Sequence, residues 1–294
     1  PDLVVSYLVA ANILAIFSKP LINSAKIVIS IRYSYLRKAD YDWLSSFLYF
    51  LEDKISFWSD LIIINSYTGA KMAAARGIPE KKMMVIPNGI DTEQFHPDTA
   101  ARIESRQLFK IRPEDKVVGI IGRIDPTKDH ATFLKAASIV IYQIPETYFL
   151  IVGSGEKQFE LKQKALSESL GLSNNVIWIS SQKDLLGVYN TLDVCVSSSL
   201  GEGFSNVISE AMACEIPCIV TDVGDSAQIV GDSGYVVPSG DEQEMAAAIL
   251  KMLQLPQEPR RKLGKLAREK IISQFSVQKM VISSMDEFEK LGKI

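Results

Sequence analysis

Cysteine and histidine are scarce in this sequence. Of 294 residues only Cys195, Cys214 and Cys218 carry thiols and only His96 and His130 carry imidazoles. Three thiols cannot all pair with one another and the histidines stand in unrelated segments, which argues against a disulfide framework and a zinc site. Buried free thiols in a reducing compartment are expected instead. Excess charge is also missing: 32 Lys and Arg against 35 Asp and Glu leave a formal net charge of −3. A nonspecific nucleic-acid binder would use a broad positive field, so any anionic ligand here needs a local site. No run is apolar for the roughly 20 residues a spanning helix requires. The stretch 3–17 comes nearest, but Ser6 and Asn12 interrupt it, and it reads as a strand followed by the start of a helix. Nothing resembling a basic leader and cleavage site precedes it, so it is not read as a signal peptide. Repeats and low-complexity segments are absent too. What is present, 47% hydrophobic residues with 17 Gly and 12 Pro, is the composition of a globular α/β or similar chain able to bury a large core.

Short Val- and Ile-rich runs recur along the chain: residues 3–5, 27–31, 61–64, 83–86, 117–121, 148–152, 176–179, 194–196, 218–220 and 235–237. They do not alternate with polar residues, as expected of strands covered on both faces, and helix-length segments separate many of them. This alternation predicts an α/β fold with mostly parallel sheets. The turn chemistry of Phe95-His96-Pro97-Asp98 marks a boundary near residues 97–101, and Leu255-Pro256-Gln257-Glu258-Pro259 a break before two terminal helices. The aromatic stretch Tyr33, Tyr35, Tyr41, Trp43, Phe47, Tyr49, Phe50, Phe57 and Trp58 is read as core or interdomain packing in preference to a membrane belt. The basic face of the first terminal helix, Arg260 to Arg268, is read as a solvated surface in preference to a lipid contact.

The segment Ser197 to Ala213 leaves a strand, passes through small residues and enters an amphipathic helix. A helix start beside a strand's carboxyl end offers unpaired N–H groups and a positive dipole end, which suit a phosphate. Ser205 and Asn206 stand at that start, and Glu202 and Glu210 flank it. On one helix these carboxylates would lie about 12 Å apart with roughly 80° between them, the span of a nucleotide sugar from sugar ring to ribose. An ordinary capping Glu and helical Glu would look the same. The loop Gly122-Arg123-Ile124-Asp125-Pro126-Thr127-Lys128-Asp129-His130 follows a strand, where ligands of doubly wound sheets bind, and Arg123 with Lys128 can clamp a diphosphate. A surface pair neutralised by Asp125 and Asp129 is the alternative. Gly153-Ser154-Gly155 lets backbone approach a ligand, and Pro87-Asn88-Gly89-Ile90-Asp91 is a turn at a domain cleft.

Together these segments resemble the retaining glycosyltransferases of family 4. The likeness rests on Val85-Ile86-Pro87-Asn88-Gly89-Ile90-Asp91 with Phe95, on Gly122-Arg123 with Lys128, on Gly153-Ser154-Gly155, on Glu202 to Glu210 running into Ala211-Met212-Ala213, and on Pro217 and Thr221-Asp222-Val223-Gly224. The family implies a GT-B fold: two Rossmann-like α/β domains with mostly parallel sheets. On that basis residues 1–100 form an incomplete N-terminal acceptor-side domain, 101–274 a nucleotide-sugar-binding domain, and 275–294 a helix returning to the first. The resemblance implies that Arg123 and Lys128 hold the donor diphosphate, that Glu202 with the backbone of Gly203 and Phe204 meets the donor sugar, and that Glu210 meets the ribose. Gly122, Gly153, Gly155, Ser205 and Asn206 complete the binding set.

The implied reaction moves a hexosyl-type group from a nucleotide-diphosphate sugar to an acceptor hydroxyl with retention of configuration, in bacterial cell-surface polysaccharide or glycolipid assembly. The donor is a substrate, and neither metal nor other cofactor is expected; charge on the departing diphosphate is met by Arg123 and Lys128. The implied partners are the donor and a glycan or lipid-linked acceptor, with no nucleic acid. The implied location is cytoplasmic, with peripheral contact at the inner membrane face left open. Three departures stand out. The family's early strands and Gly-rich loop have no match, so residues 3–8 would be an exposed apolar edge inclined to pair with other strands. Val5, Ser6 and Tyr7 stand where many relatives place a His, and Arg32 and Asn65 fall at cleft positions. Glu215 stands where relatives often close the helix with Gly, at a cost of about 1 kcal/mol if the backbone is left-handed there. A sugar-nucleotide epimerase and a noncatalytic nucleotide-sugar binder are the competing readings.

Overall fold

The computed structural model describes residues 1–22, 24–32 and 42–292. Tyr33, Tyr35 and Tyr41 lie outside the described residues. The chain divides into two compact α/β units: residues 1–89, 202–204 and 277–294 form one, residues 90–201 and 205–276 the other.

In the first unit, β1 (Leu3–Tyr7), β2 (Lys26–Ile31), β3 (Leu61–Ile64) and β4 (Met83–Val85) form a parallel sheet in that order. Side chains alternate between two apolar layers. Ile27, Ile29, Ile31, Ile62 and Ile64 meet Ile13 and Ile16 of α1 (Val9–Ser18) and Ile55 of α2 (Trp43–Ile55). Val28, Leu61, Ile63 and Ile86 face the other way, onto Met280 and Phe288 of a C-terminal helix, Val277–Gly292. Coverage on both faces is why these strands show no polar alternation. Between β3 and β4 runs α3 (Tyr67–Ala75), capped by Ser66, whose side chain accepts from the Gly69 N–H.

The aromatic stretch departs from the packing expected of it. Leu48, Leu51 and Ile55 turn inward, so Trp43, Phe47 and Phe50 fall on the outer face of α2 and are exposed, as are Phe57 and Trp58. Residues three and four apart share a helix face, and the inner face was already filled by aliphatics.

The second unit holds a six-stranded parallel sheet, ordered β10-β9-β8-β5-β6-β7. The strands are β5 (Lys116–Ile121), β6 (Thr147–Val152), β7 (Val176–Ile179), β8 (Val194–Ser197), β9 (Cys218–Thr221) and β10 (Gly234–Val237). Its helices are α4 (Thr99–Leu108), α5 (His130–Gln143), α6 (Lys157–Ser169), α7 (Leu186–Thr191), α8 (Asn206–Ala213), α9 (Ser226–Val230), α10 (Glu242–Gln254) and α11 (Gln257–Gln274), and the C-terminal helix of the first unit is α12. The strand order reverses between β5 and β8, and doubly wound sheets bind ligands beyond the carboxyl ends of the strands at such a point. Arg102 and Arg106 of α4 both pair with Asp193, at 2.8 and 3.0 Å, and Asp193 also accepts the Val117 N–H. This fastens α4 to the starts of β5 and β8. Cys195, Cys214 and Cys218 are buried free thiols, and burial pushes Cys214 up to about 12. Among the described residues no helix is long and apolar enough to cross a membrane.

Candidate functional site

In the second unit, the loops after β5, β6 and β7 enclose a cavity of about 330 Å³. Gly122 and Arg123 come from the first loop, Gly153 and Ser154 from the second, Ser181, Gln182 and Leu185 from the third, with Val207 from the first turn of α8. The walls depend on close backbone packing. A Cβ on Gly153 would stand 1.8 Å from the Gly122 carbonyl oxygen, and one on Gly155 2.0 Å from the Ile124 carbonyl oxygen. Gly153 also has φ +150°, a conformation L-residues rarely adopt. Ser154 fixes the third wall: its Oγ accepts from the Ser181 N–H at 3.2 Å. Glu160 holds the Gly155 N–H at 2.6 Å.

The Arg123–Lys128 loop is ordered by its own acids. Asp125 accepts from the N–H groups of Thr127 and Lys128 and lies 3.3 Å from the Arg123 guanidinium, whose side chain stays 82% exposed. Asp129, considered above as a partner of the cations, instead caps α5 from a left-handed backbone, accepting from the Thr132 N–H and hydroxyl. The Lys128 stem lies against Gly122, 3.6 Å from where a Cβ would be. The loop after β8 is tied to this one: Ser198 Oγ donates to the carbonyls of Lys128 and Asp129, and the Leu200 N–H to Thr127. Thr221 donates to the Ser199 carbonyl at 2.6 Å. Three strands, β5, β8 and β9, thus set the position of two short loops.

α8 begins after Ser205, which makes no side-chain cap, so a helix start without a capping hydroxyl stands beside these loops. This start corrects the geometry expected for the carboxylates. Glu202 precedes the helix, so the pair does not share one helix and the 12 Å helical spacing does not apply. The glycines at 201 and 203 disfavour helix, and the apolar periodicity of Val207, Ile208, Ala211 and Met212 begins only after Ser205. Glu202, Gly203 and Phe204 belong to the first unit, whereas Ser205, Asn206 and Glu210 belong to the second. Glu210 accepts from the buried Tyr189 hydroxyl at 2.6 Å. Burial raises the Glu210 carboxyl above its usual range, partly offset by that bond, and burial also raises Tyr189.

Of the expected residues, Gly122, Arg123 and Gly153 line the cavity together; Lys128 and Gly155 support its loops, and Glu210 of α8 forms a separate polar pair with Tyr189 of α7. The reading of the sequence missed Ser181, Gln182 and Leu185, which sit in an ordinary polar loop, and Tyr189. Only the neighbouring position of β7 in the sheet identifies the former.

The comparisons agree with this architecture. Residues 101–270 match the model for Glycosyl transferases group 1, and residues 1–94 that for Glycosyltransferase Family 4. Among curated relatives, the chain is 28% identical over 242 residues to the capsular polysaccharide biosynthesis glycosyltransferase CapM of Staphylococcus aureus, covering 79% of this chain and 62% of that protein. It is 28% identical to the UDP-Gal:alpha-D-GlcNAc-diphosphoundecaprenol alpha-1,3-galactosyltransferase of Escherichia coli (68% and 52% covered). It is 31% identical to the D-inositol 3-phosphate glycosyltransferase of Mycobacterium marinum (67% and 43% covered). The chain therefore spans less than two thirds of the length of these relatives. Among solved structures, Anabaena HepE in complex with UDP-glucose superposes with TM-score 0.88 at 20% identity, covering 98% of this chain and 79% of that one, which shows a shared fold. With the first model matching more than half of its residues, the chain belongs to the group 1 glycosyl transferases and carries a Family 4 glycosyltransferase domain at its N-terminal end.

Proposed function

We propose that the chain transfers a sugar from a nucleotide-diphosphate sugar to an acceptor hydroxyl, with retention of configuration. The observation that carries this reading is the cavity walled by Gly122, Arg123, Gly153 and Ser181 at the carboxyl ends of β5, β6 and β7, opening beside the uncapped start of α8. Exposed Arg123 and the adjacent Lys128 hold the diphosphate, the α8 amides add a fixed positive field, and Glu210, oriented by Tyr189, accepts from the ribose hydroxyls. Glu202 and the backbone of Gly203 and Phe204 serve the donor sugar. In the reaction the bond from the anomeric carbon to the phosphate oxygen breaks with its electron pair going to the diphosphate. The acceptor oxygen bonds to the same face and its proton passes to the departing phosphate. Cations already in place stabilise the charge that develops there.

A uridine nucleotide is favoured by the relatives: HepE is solved with UDP and UDP-glucose, and the E. coli relative is named for UDP-Gal. Two relatives are named for acceptors that bear phosphate, a diphosphoundecaprenol-linked sugar and inositol 3-phosphate, and CapM is named for capsular polysaccharide biosynthesis. Peripheral contact with a membrane is supported by the outward stripe Trp43, Phe47, Phe50 and Lys54 on α2, apolar residues closed by a cation.

Incubation with radiolabelled UDP-sugars and candidate acceptors separates the readings. Transfer is expected; isomerisation without transfer indicates an epimerase, and binding without turnover a noncatalytic binder. Lys128→Ala and Glu202→Ala are each expected to lower transfer by about two orders of magnitude or more, as loss of a charge-stabilising group does. Near-normal turnover in both variants refutes the assignment.

A further inference from the structure

The first unit contains a second built cavity, of about 360 Å³, at the carboxyl ends of β1 and β2. Leu8, Leu48 and Tyr49 supply its apolar wall; Ser30, Ser45 and Arg32 supply its polar side. Arg32, the residue after β2, is positioned from three directions. Its guanidinium lies 4.9 Å from the ring centroid of Tyr7 at the end of β1. Its Nε donates to Ser30 Oγ and its Nη1 to Asn88 Oδ1, each at 3.3 Å.

All three partners are neutral. Arg76, in the same unit, pairs with Asp53 at 3.0 Å, whereas among the described residues no carboxylate pairs with Arg32. A planar cation stacked on a ring and held by long bonds to neutral groups keeps most of its donor capacity for a ligand, and its fork matches phosphate.

The floor beneath it is fixed. Fully buried Asn12 donates to the Ser30 carbonyl at 3.0 Å and to Glu52 at 2.6 Å, and accepts from Ser6 Oγ at 2.7 Å. Ser30 is therefore held from below by its carbonyl while its hydroxyl meets Arg32. The wall carries strain: Leu8 has φ 73° and ψ 150° and is 73% exposed. A non-glycine residue in that region costs on the order of 1–3 kcal/mol and persists where its surroundings dictate it. Here they dictate an apolar side chain uncovered at the cavity edge.

We infer that this cavity receives the acceptor, that the acceptor bears a phosphate group, and that Arg32 binds that phosphate while the sugar or an attached chain rests on Leu8, Leu48 and Tyr49. This rests on the glycosyl-transfer reading above and adds to it a specificity residue.

The test is a matched pair of synthetic acceptors, octyl hexosyl phosphate and octyl hexoside, which differ only in the phosphate, with hexose 1-phosphate as a third acceptor lacking the alkyl chain. Transfer from UDP-sugars is measured for the 294-residue chain and for Arg32→Gln, which keeps hydrogen-bonding capacity and removes the charge. The native chain should prefer the phosphate of the pair, and the variant should lose that preference by on the order of 10- to 100-fold, through KM, as expected for a charged hydrogen bond. Arg32→Lys should restore part of it. Use of hexose 1-phosphate as well as of the octyl compound assigns the recognition to the phosphate itself; use of the octyl compound alone assigns it to phosphate with an attached chain. Equal effects of Arg32→Gln on the charged and neutral acceptors overturn the inference. If the native chain transfers to nothing, the glycosyl-transfer reading fails separately. Binding of octyl hexosyl phosphate, followed by tryptophan fluorescence, then decides on Arg32: a weaker affinity in the variant supports its role, and an equal one refutes it.

Discussion

Replacing Gly153 by Ala tests whether the cavity beyond β5, β6 and β7 depends on backbone packing. The new Cβ would lie 1.8 Å from the Gly122 carbonyl oxygen, whereas real Cβ atoms stay beyond 3.0 Å from their neighbours. Neither backbone is free to retreat, because the Gly122 N–H is bonded to Val152 and the Gly153 N–H to Ile179, both at 2.9 Å. Relief therefore breaks one or two ladder bonds at about 1 kcal/mol each. The φ of +150° adds on the order of 1–3 kcal/mol of backbone strain for a non-glycine residue. Together the substitution should cost about 2–5 kcal/mol and weaken UDP binding through displacement of Gly122 and Arg123. Gly171→Ala is the control. Gly171 also has positive φ, +72°, but nothing lies within 4 Å of its Cβ position, so it bears only the conformational cost of about 1 kcal/mol. Urea denaturation followed by circular dichroism gives both values, and UDP titration of the folded variants gives the second effect. If the two variants agree to within about 0.5 kcal/mol, the error expected for unrelated surface changes, the close approach of the two loops does not hold the cavity.

Two further predictions concern residues around the site. His130 is 1% exposed, neither ring nitrogen has a partner among the described residues, and burial lowers its pKa from 6.5 to about 4 despite the nearby Asp125 and Asp129. The unfolded chain takes up a proton as pH falls below 6.5 while the folded imidazole stays neutral, so stability should fall by about 2 kcal/mol between pH 7 and 5 from this group alone. Subtracting the urea-derived stabilities of His130→Leu isolates that slope, and parallel pH profiles for the two proteins would exclude it. Glu215 ends α8 at φ 61°, its N–H bonded to Met212 and that of Ile216 to Ala211. Glu215→Gly should gain up to about 1 kcal/mol by removing left-handed strain, less the added freedom of the unfolded chain. A lower midpoint in urea denaturation would contradict this.

How much was legible follows from where each feature's cause resides. The strands were readable because coverage on both faces demands local Val and Ile runs: Ile27, Ile29 and Ile31 enter one layer and Val28 the other, so the only polar residues of β2 are Lys26 at its start and Ser30 near its end. The Gly153 loop and the Arg123 loop were readable because close backbone approach selects glycine and two cations in a short loop after a strand stand out. Ser181, Gln182 and Leu185 were not. They reach the cavity because β7 lies next to β6, and nothing in a short polar loop encodes which strand its own strand will join. The Tyr189 bond to Glu210 is opaque for the same reason, joining α7 to α8 across 21 residues.

The Glu202–Glu210 pair shows how a correct motif can carry a wrong geometry. Spacing alone placed both on one helix, yet a helix through Gly201 and Gly203 would spend about 1 kcal/mol per glycine and forfeit the start signal of Ser205. With the helix beginning at Asn206, the start of α8 falls between the two carboxylates in sequence. The correction removes the distance argument and leaves Glu210, bonded to Tyr189, as the carboxylate carried by α8. Arg32 shows the converse. The sequence placed it at a cleft position without partners, and its neighbours Tyr7 and Asn88 are brought beside it by the parallel order of the sheet that holds β1, β2 and β4. A charge whose partners among the described residues are all neutral can be recognised only once its neighbours are known, and those neighbours stand 25 and 56 positions away in the chain.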